Sequence, residues 1–289
     1  MNSLVYHIAS GQAYFSGLAL VLAAAALGVC ARRFARRLAV LALLVGALAM
    51  VVSSTPIPWW GIALATVATL FWGVNLRRER PARWPAAGLA AAALVLAISE
   101  LPYHLPLRIA PSGARSLTVV ADSLTAGMGA ADQAERWPAI LARERGIEVQ
   151  DLSHVGETAA SAAKRVAREG ISGELVLLEI GGNDVLGTTL AQQFAADLET
   201  LLSKVCSPGR QVVMLELPLP PFAHAFGAAQ RRLARQYGVQ LVPKRVLLSI
   251  VAPRGNTVDT IHLTPTGQRR MADAMEAMML PAPETPRAP

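Results

Sequence analysis

The chain has 289 residues, 53% of them hydrophobic and only 16% charged, with a formal net charge of +7. Residues 1–114 carry nine Lys and Arg against two Asp and Glu, whereas residues 115–289 carry eighteen of each. The positive excess belongs to the N-terminal part alone, which argues against nucleic acid as a partner: a DNA or RNA binder keeps its basic residues on the folded domain. Cys30 and Cys206 stand far apart, give no disulfide framework and no CxxC motif, and read as packing residues.

Four uncharged apolar runs come first: Tyr14–Cys30, Leu38–Ser54, Pro58–Val74 and Trp84–Ser99. Each approaches the roughly 17–25 residues that cross a bilayer as a helix. They lack the polar stripe of a helix buried on one side only. Thr55-Pro56-Ile57-Pro58 breaks the middle of this region into a tight hairpin, because proline removes a helix donor and restricts the residue before it. Trp59, Trp60, Trp72 and Trp84 fall near run ends, where indole rings favour the headgroup region. Arg32, Arg33, Arg36 and Arg37 separate the first two runs, and Arg77, Arg78, Arg80 and Arg83 the last two. The positive-inside rule puts both loops in the cytoplasm, so the N-terminus faces out and four crossings return the chain to the outside near Glu100. A signal peptide would need positive charge within Met1–Gly17, and none is there. The alanine-rich last run is the weakest of the four; three crossings would leave everything after it in the cytoplasm. Leu101–Arg115, with three prolines and no sustained period, reads as a linker, and residues 282–289 as a tail.

From residue 116 short apolar runs alternate with helical patterns. Strands are expected at Ser116–Ala121, Ile147–Leu152, Leu175–Ile180, Gln211–Leu217 and Val239–Val242. Helices are expected at Trp137–Arg145, Ala159–Glu169, Leu190–Val205, Ala223–Tyr237 and Thr264–Leu280. This alternation predicts an α/β domain over residues 116–281, a flavodoxin-like three-layer α/β/α parallel sheet, preceded by an all-α four-helix transmembrane region.

The unusual polar residues follow the predicted strands. Ser123 follows the first; Ser153, His154 and Gly156 the second; Gly181-Gly182-Asn183-Asp184 the third; Pro218, Pro220, Pro221 and His224 the fourth. Asp259 and His262 precede the last helix. In a doubly wound sheet the loops after the strands open on one edge, where ligands bind. Ser123 taken alone reads first as a helix N-cap. With a histidine as base and a carboxylate to hold the imidazole tautomer it becomes a nucleophile, and a backbone N–H beside Gly156 with the Asn183 amide supplies oxyanion donors.

These blocks resemble the SGNH/GDSL hydrolase family: Ala121-Asp122-Ser123-Leu124, Gly156, Gly182-Asn183-Asp184, then Asp259 and His262, in order over residues 116 to about 280. The run Leu178–Asp184 is similar to the periplasmic arylesterase, thioesterase and lysophospholipase branch. The resemblance implies Ser123 as nucleophile, His262 as general base and acid, and Asp259 as its orienting partner. It further implies an oxyanion hole from the N–H groups of Ser123 and Gly156 and the Asn183 side chain, with no cofactor and no metal. Ala121 replaces the family's glycine and Leu263 a frequent proline; neither change removes a catalytic atom. Asp184 and Asp122 read as loop-bracing residues. His154 has no ligand constellation around it. His224 lines a pocket or is a surface histidine, and Arg231, Arg232 and Arg235 read as a solvated helix face.

The expectation is a membrane-anchored serine esterase whose partners are the lipid bilayer and an acyl ester, either a lipid or lysophospholipid or an O-acetylated glycan. Acyl transfer to an envelope glycan and a catalytically idle binding scaffold are the competing readings. The intramembrane charge that donor chemistry usually requires is missing from the apolar runs.

Overall fold

The structure, a computed structural model, describes residues 1–30, 32–78, 81–105, 115–127, 133–259 and 261–279. It divides into two units, one of Met1, Pro106–Leu217 and Ala229–Pro289, the other of Asn2–Leu105 and Pro218–Ala228.

The second unit is helical. Its elements are α1 (Ser3–Ala9), α2 (Gln12–Gly28), α3 (Arg33–Val52), α4 (Trp59–Leu76) and α5 (Arg83–Glu100). The four expected runs lie within or beside α2 to α5; α1 was not expected. It meets α2 at 85°, through Gly11, whose φ of +83° lies in the left-handed region. Helices α2 and α3 approach with their backbones nearly touching: a Cβ on Gly17 would fall 2.5 Å from the Gly46 carbonyl oxygen, and one on Gly46 would fall 2.7 Å from that of Gly17. Small residues at a crossing permit this proximity. The α4–α5 turn is closed by Asn75, whose Nδ2 donates to the Ala82 carbonyl while its Oδ1 accepts from the Ala82 N–H. Apolar side chains also face outward, among them Leu41, Leu44 and Leu48 of α3 and Leu70 and Phe71 of α4. Three helices are long and apolar enough to cross a membrane, Arg33–Val52, Trp59–Leu76 and Arg83–His104, and a fourth is reached only if the bent α1–α2 pair counts as one span. Of the expected linker, Leu101–His104 forms a 3₁₀ turn and residues 106–114 lie outside the described residues, as does the tail.

The first unit is built on a five-stranded parallel sheet: β1 (Ser116–Ala121), β2 (Glu148–Asp151), β3 (Leu175–Glu179), β4 (Gln211–Leu215) and β5 (Gln240–Val242), in the order β2-β1-β3-β4-β5. All five strands fall inside their expected ranges. Beside them run α6 (Ser123–Ala126), α7 (Trp137–Arg145), α8 (Ala159–Glu169), α9 (Gly182–Leu186), α10 (Ala191–Val205), α11 (His224–Gln236), α12 (Lys244–Val251) and α13 (Pro265–Met279). Leu117, Val119 and Ala121 of β1 pack in one cluster with Trp137 and Leu141 of α7 and Met271 and Met275 of α13. The alternate strand residues Val120, Val176 and Leu178 are equally buried, as are Leu198, Leu201 and Leu202 of α10. Strands covered on both faces read as continuous apolar runs, which is why their positions were legible. This strand order is the doubly wound arrangement, and its switch point lies between β1 and β3. The chain segments leaving those two strands are the ones that carry Ser123 and Asn183.

Candidate active site

β1 ends at the buried Ala121 and the chain turns at once into the one-turn helix α6. Asp122, not Ser123, caps that helix: its Oδ1 accepts the Leu124 N–H at 3.0 Å. The Ser123 hydroxyl is thereby left free of capping duty, and the left-handed Gly127 (φ +79°) ends the turn.

The loop 257–263 folds back on itself through a bridge between Thr257 and Leu263 and the Val258 N–H on the His262 carbonyl. This brings Asp259 under His262. Asp259 Oδ1 accepts the N–H groups of Ile261 (2.7 Å) and His262 (2.8 Å), and Oδ2 lies 2.6 Å from His262 Nδ1. The Ile261 N–H first, and the His262 ring next, hold the Asp259 carboxyl well below the usual carboxylate range. With Nδ1–H directed at Asp259, Nε2 is the acceptor for the Ser123 hydroxyl at 3.0 Å. Helix α13 fixes the loop from behind. Gly267 sits so close to the Asn256 carbonyl oxygen that a Cβ would fall 2.1 Å from it. Gln268 accepts the Trp137 N–H at 2.9 Å and reaches the Leu124 carbonyl at 3.4 Å, tying the serine turn to the histidine loop.

Gly156 has φ +77° and open space around its Cα. Among the described residues neither its N–H nor that of Ser123 donates to another group. Asn183, at the start of α9, points its Nδ2 at the Glu157 carbonyl (3.0 Å) and, at the longer distance of 3.4 Å, at Asp122 Oδ2. Asp184 accepts the first N–H of α8, that of Ala159, at 2.9 Å, and burial pushes its carboxyl up. The loops after β2 and β3 are thus braced against each other.

Several residues passed over in the sequence matter here. Glu179, the last residue of β3, is buried beside Asp122; its signal was a lone carboxylate in an otherwise apolar strand. Its Oε2 accepts from the Thr125 hydroxyl at 3.2 Å, and Thr125 in turn accepts from Trp137 Nε1 at 3.0 Å. Burial first, then the Asp122 charge, raise the Glu179 carboxyl well above its ordinary range. Glu157 is buried and paired with Arg165 at 2.8 Å.

Other expectations need correction. Arg231 is not on a solvated face: it is buried, with its Nε 2.7 Å from Glu216 Oε1, and Lys244 lies near the same oxygen at 3.7 Å. Cys30 is exposed at a helix end rather than packed, whereas Cys206 is half-buried and its thiol is pushed up by burial. His154 is exposed and pairs with the Val155 carbonyl at 2.8 Å. His224 is not a free surface histidine: within the second unit its Nε2 lies 2.7 Å from the Ser53 carbonyl oxygen.

Residues 122–270 match the model of the GDSL-like Lipase/Acylhydrolase family. The chain is 31% identical over 146 residues to Esterase TesA of Pseudomonas aeruginosa, which covers 46% of this chain and 71% of that protein. It is 27% identical over 194 residues to Thioesterase 1/protease 1/lysophospholipase L1 of Escherichia coli strain K12, covering 62% of this chain and 93% of that protein. The psychrotrophic esterase EstA from Pseudoalteromonas sp. shares the fold, with a TM-score of 0.52 at 21% identity over 57% of this chain and 96% of that one. With the family match running over more than half its length, from the serine turn to beyond the histidine loop, the chain belongs to the GDSL-like lipase/acylhydrolase family and is an SGNH-type hydrolase of acyl esters.

Proposed function

We propose that the protein is a membrane-anchored serine esterase that hydrolyses lipid-type acyl esters through Ser123, His262 and Asp259. The observation that carries this reading is the continuous chain from Ser123 Oγ to His262 Nε2 (3.0 Å) and from His262 Nδ1 to Asp259 Oδ2 (2.6 Å). Ser123 Oγ attacks the ester carbonyl carbon as its proton passes to His262 Nε2, and Asp259 stabilises the imidazolium. The carbonyl oxygen, now negative, is met by the N–H groups of Ser123 and Gly156 and by the Asn183 amide. Collapse expels the alcohol, which takes the proton from His262 and leaves an acyl-Ser123 ester. Water, deprotonated by the same histidine, attacks that ester and releases the carboxylic acid and the free serine. Every step uses side chains and backbone of this chain, and none needs a cofactor.

An apolar rim supports a lipid-type substrate over an O-acetylated glycan. Between residues 115 and 279 the exposed large hydrophobic residues among those described in the first unit are Val155, Leu186, Leu190, Val258 and Ile261. All lie in the segments that follow β2 and β3, with Leu186 ending α9, or in the loop that carries Asp259 and His262. Membrane anchoring is supported by the outward apolar faces of α3, α4 and α5. On this reading the arginine loops are cytoplasmic, while the N-terminus and the hydrolase unit lie on the external, periplasmic side of the inner membrane.

Ser123→Ala should abolish ester hydrolysis, and a serine-directed phosphonate should label the wild type and not the variant. Full activity in Ser123→Ala, or labelled acyl groups passing to glycan in preference to water, would overturn the reading. A reporter fused after Pro111 that works only in the cytoplasm would overturn the topology.

A further inference from the structure

We propose that Glu179 is a positioning residue for the oxyanion hole: its neutral carboxyl group donates a hydrogen bond to the Asp122 carboxylate and so leaves the Asn183 amide free to bind the developing oxyanion. The placement begins in the sheet, where Glu179 is the register partner of Ala121, so its side chain lies beside the residue that follows. Both carboxyl groups are buried, with Glu179 4% and Asp122 5% exposed.

The hydrogen bonds around them show which oxygen accepts and which donates. Glu179 Oε2 receives the Asp122 N–H at 3.4 Å and the Thr125 hydroxyl at 3.2 Å. The Asp122 N–H can only donate, and Thr125, which accepts the indole N–H of Trp137 at 3.0 Å, keeps its own hydrogen for Oε2. Oε2 is therefore an acceptor, and Oε1 carries the proton. Asp122 is committed as an anion: Oδ1 accepts the Leu124 N–H at 3.0 Å, and Oδ2 faces Gly182 and Asn183. The two carboxyl groups are buried beside each other, where two negative charges would repel, so one proton is held between them. Burial and the neighbouring Asp122 charge raise Glu179 well above its ordinary range; burial raises Asp122 too, but the backbone N–H of Leu124 opposes that rise, so the proton is placed on Glu179.

The consequence falls on Asn183. One of its amide hydrogens is used by the Glu157 carbonyl at 3.0 Å; the other must serve the oxyanion. An unsatisfied carboxylate would draw that hydrogen into a charge-assisted bond of about 2.7–2.9 Å. The observed separation is 3.4 Å, a contact loose enough to be exchanged for a substrate oxygen. An ionised Glu179 would also set a second negative charge near the place where the oxyanion forms, opposing the stabilisation the site supplies. Glu179 touches neither substrate nor the reacting atoms and acts through Asp122.

Two variants of the full chain separate donation from mere filling of space. Glu179→Gln keeps a donor for Asp122 and an acceptor for Thr125; Glu179→Met fills similar volume with neither. The expected result is a kcat for Glu179→Gln within about threefold of wild type. Glu179→Met should lose about tenfold or more in kcat at unchanged KM, as partial loss of one oxyanion donor predicts. The infrared band of a buried protonated carboxyl group should be present in the wild type at neutral pH and absent from Glu179→Gln. Wild-type kcat in folded Glu179→Met, an equal loss in both variants, or no infrared band lost on Glu179→Gln would each overturn the proposal. If Glu179→Met does not fold, the band and the kcat of Glu179→Gln still decide. The inference rests on the catalytic reading of Ser123 and Asn183, and the two fail separately: an active Ser123→Ala enzyme would sink that reading while the Glu179 band stayed in place.

Discussion

His262 Nε2 stands 3.0 Å from Ser123 Oγ although 139 positions of sequence separate the two residues. The contact depends on Asp259, which is three residues from His262 and holds both its ring and its backbone N–H. Asp259→Asn should lower kcat by about 10²- to 10⁴-fold, because the amide favours the wrong imidazole tautomer. Combining it with Ser123→Ala should add almost nothing, since residues acting as one unit are not additive. The Asp259 carboxyl is held below the usual range, so it stays charged in the folded protein as pH falls through the ordinary aspartate range, and the stability it contributes is lost progressively from that range down to its lower folded value. The acid side of the wild-type kcat/KM profile on a p-nitrophenyl ester should therefore show a single-proton slope with no added inflection from this group.

On the proposed mechanism Gly156 supplies a backbone donor to the oxyanion, and substitution there tests that donor. A Cβ there would meet nothing within 4 Å, so only its φ of +77° resists substitution. Gly156→Ala should cost about 1 kcal/mol of strain and reduce kcat about tenfold or more by turning the N–H away. Asparagine tolerates the left-handed region better than alanine does, so Gly156→Asn should be the milder change. Equal kcat in all three enzymes would remove Gly156 from the oxyanion hole.

The central strands β1, β3 and β4 were legible because strands buried on both faces are continuous apolar runs, and α7 and α8 have their expected ends, with helix punctuation at both. Ser123, Asn183, Asp259 and His262 were legible because each follows a strand or precedes the last helix, and the doubly wound order gathers those places. Helices α9 and α12 were not: α9 is five residues long, and α12 follows β5 too closely to show a separate pattern. The pairing of Arg231 with Glu216 spans fifteen residues and two elements, so the sequence showed only an arginine pair on a helix. Glu179 was passed over for the opposite reason. Its neighbours are so apolar that a carboxylate among them looked incidental, and only the fold reveals Asp122 beside it.

Glu179 also gives stability a pH dependence of defined sign. Its folded pKa lies above its unfolded value, through burial and the Asp122 charge, so the native state binds more protons than the unfolded one. Stability from this group is full below the ordinary glutamate range and is lost as pH rises toward the raised folded value. The slope from one proton is at most about 1.4 kcal/mol per pH unit. Denaturant melts of wild type and Glu179→Gln should agree on the acid side and diverge in favour of the variant as pH increases. Asp184, which is also raised by burial, contributes in the same direction in both proteins, so the difference between them reports the Glu179–Asp122 pair. Parallel curves would place the wild-type proton elsewhere.

The apolar rim makes the last prediction. Leu186, the last residue of α9, and Leu190, just before α10, are 67% and 74% exposed in the segment that follows Asn183, where neither contributes to the core. If the substrate's acyl chain lies over them, each buried methylene adds about 0.8 kcal/mol. Leu186→Ser and Leu190→Ser together should then lower kcat/KM on long-chain p-nitrophenyl esters about five- to thirtyfold, equivalent to one or two kcal/mol. Acetyl esters, too short to reach the rim, should be hydrolysed at the wild-type rate. Surface leucines with no substrate contact are worth little to folding, so the melting temperature should hardly move. A uniform fall on both esters would mean that the loop merely positions Asn183. An unchanged ratio with unchanged rates would leave the rim unrelated to substrate, and with it the preference for a lipid-type ester over an acetylated glycan would lose its support.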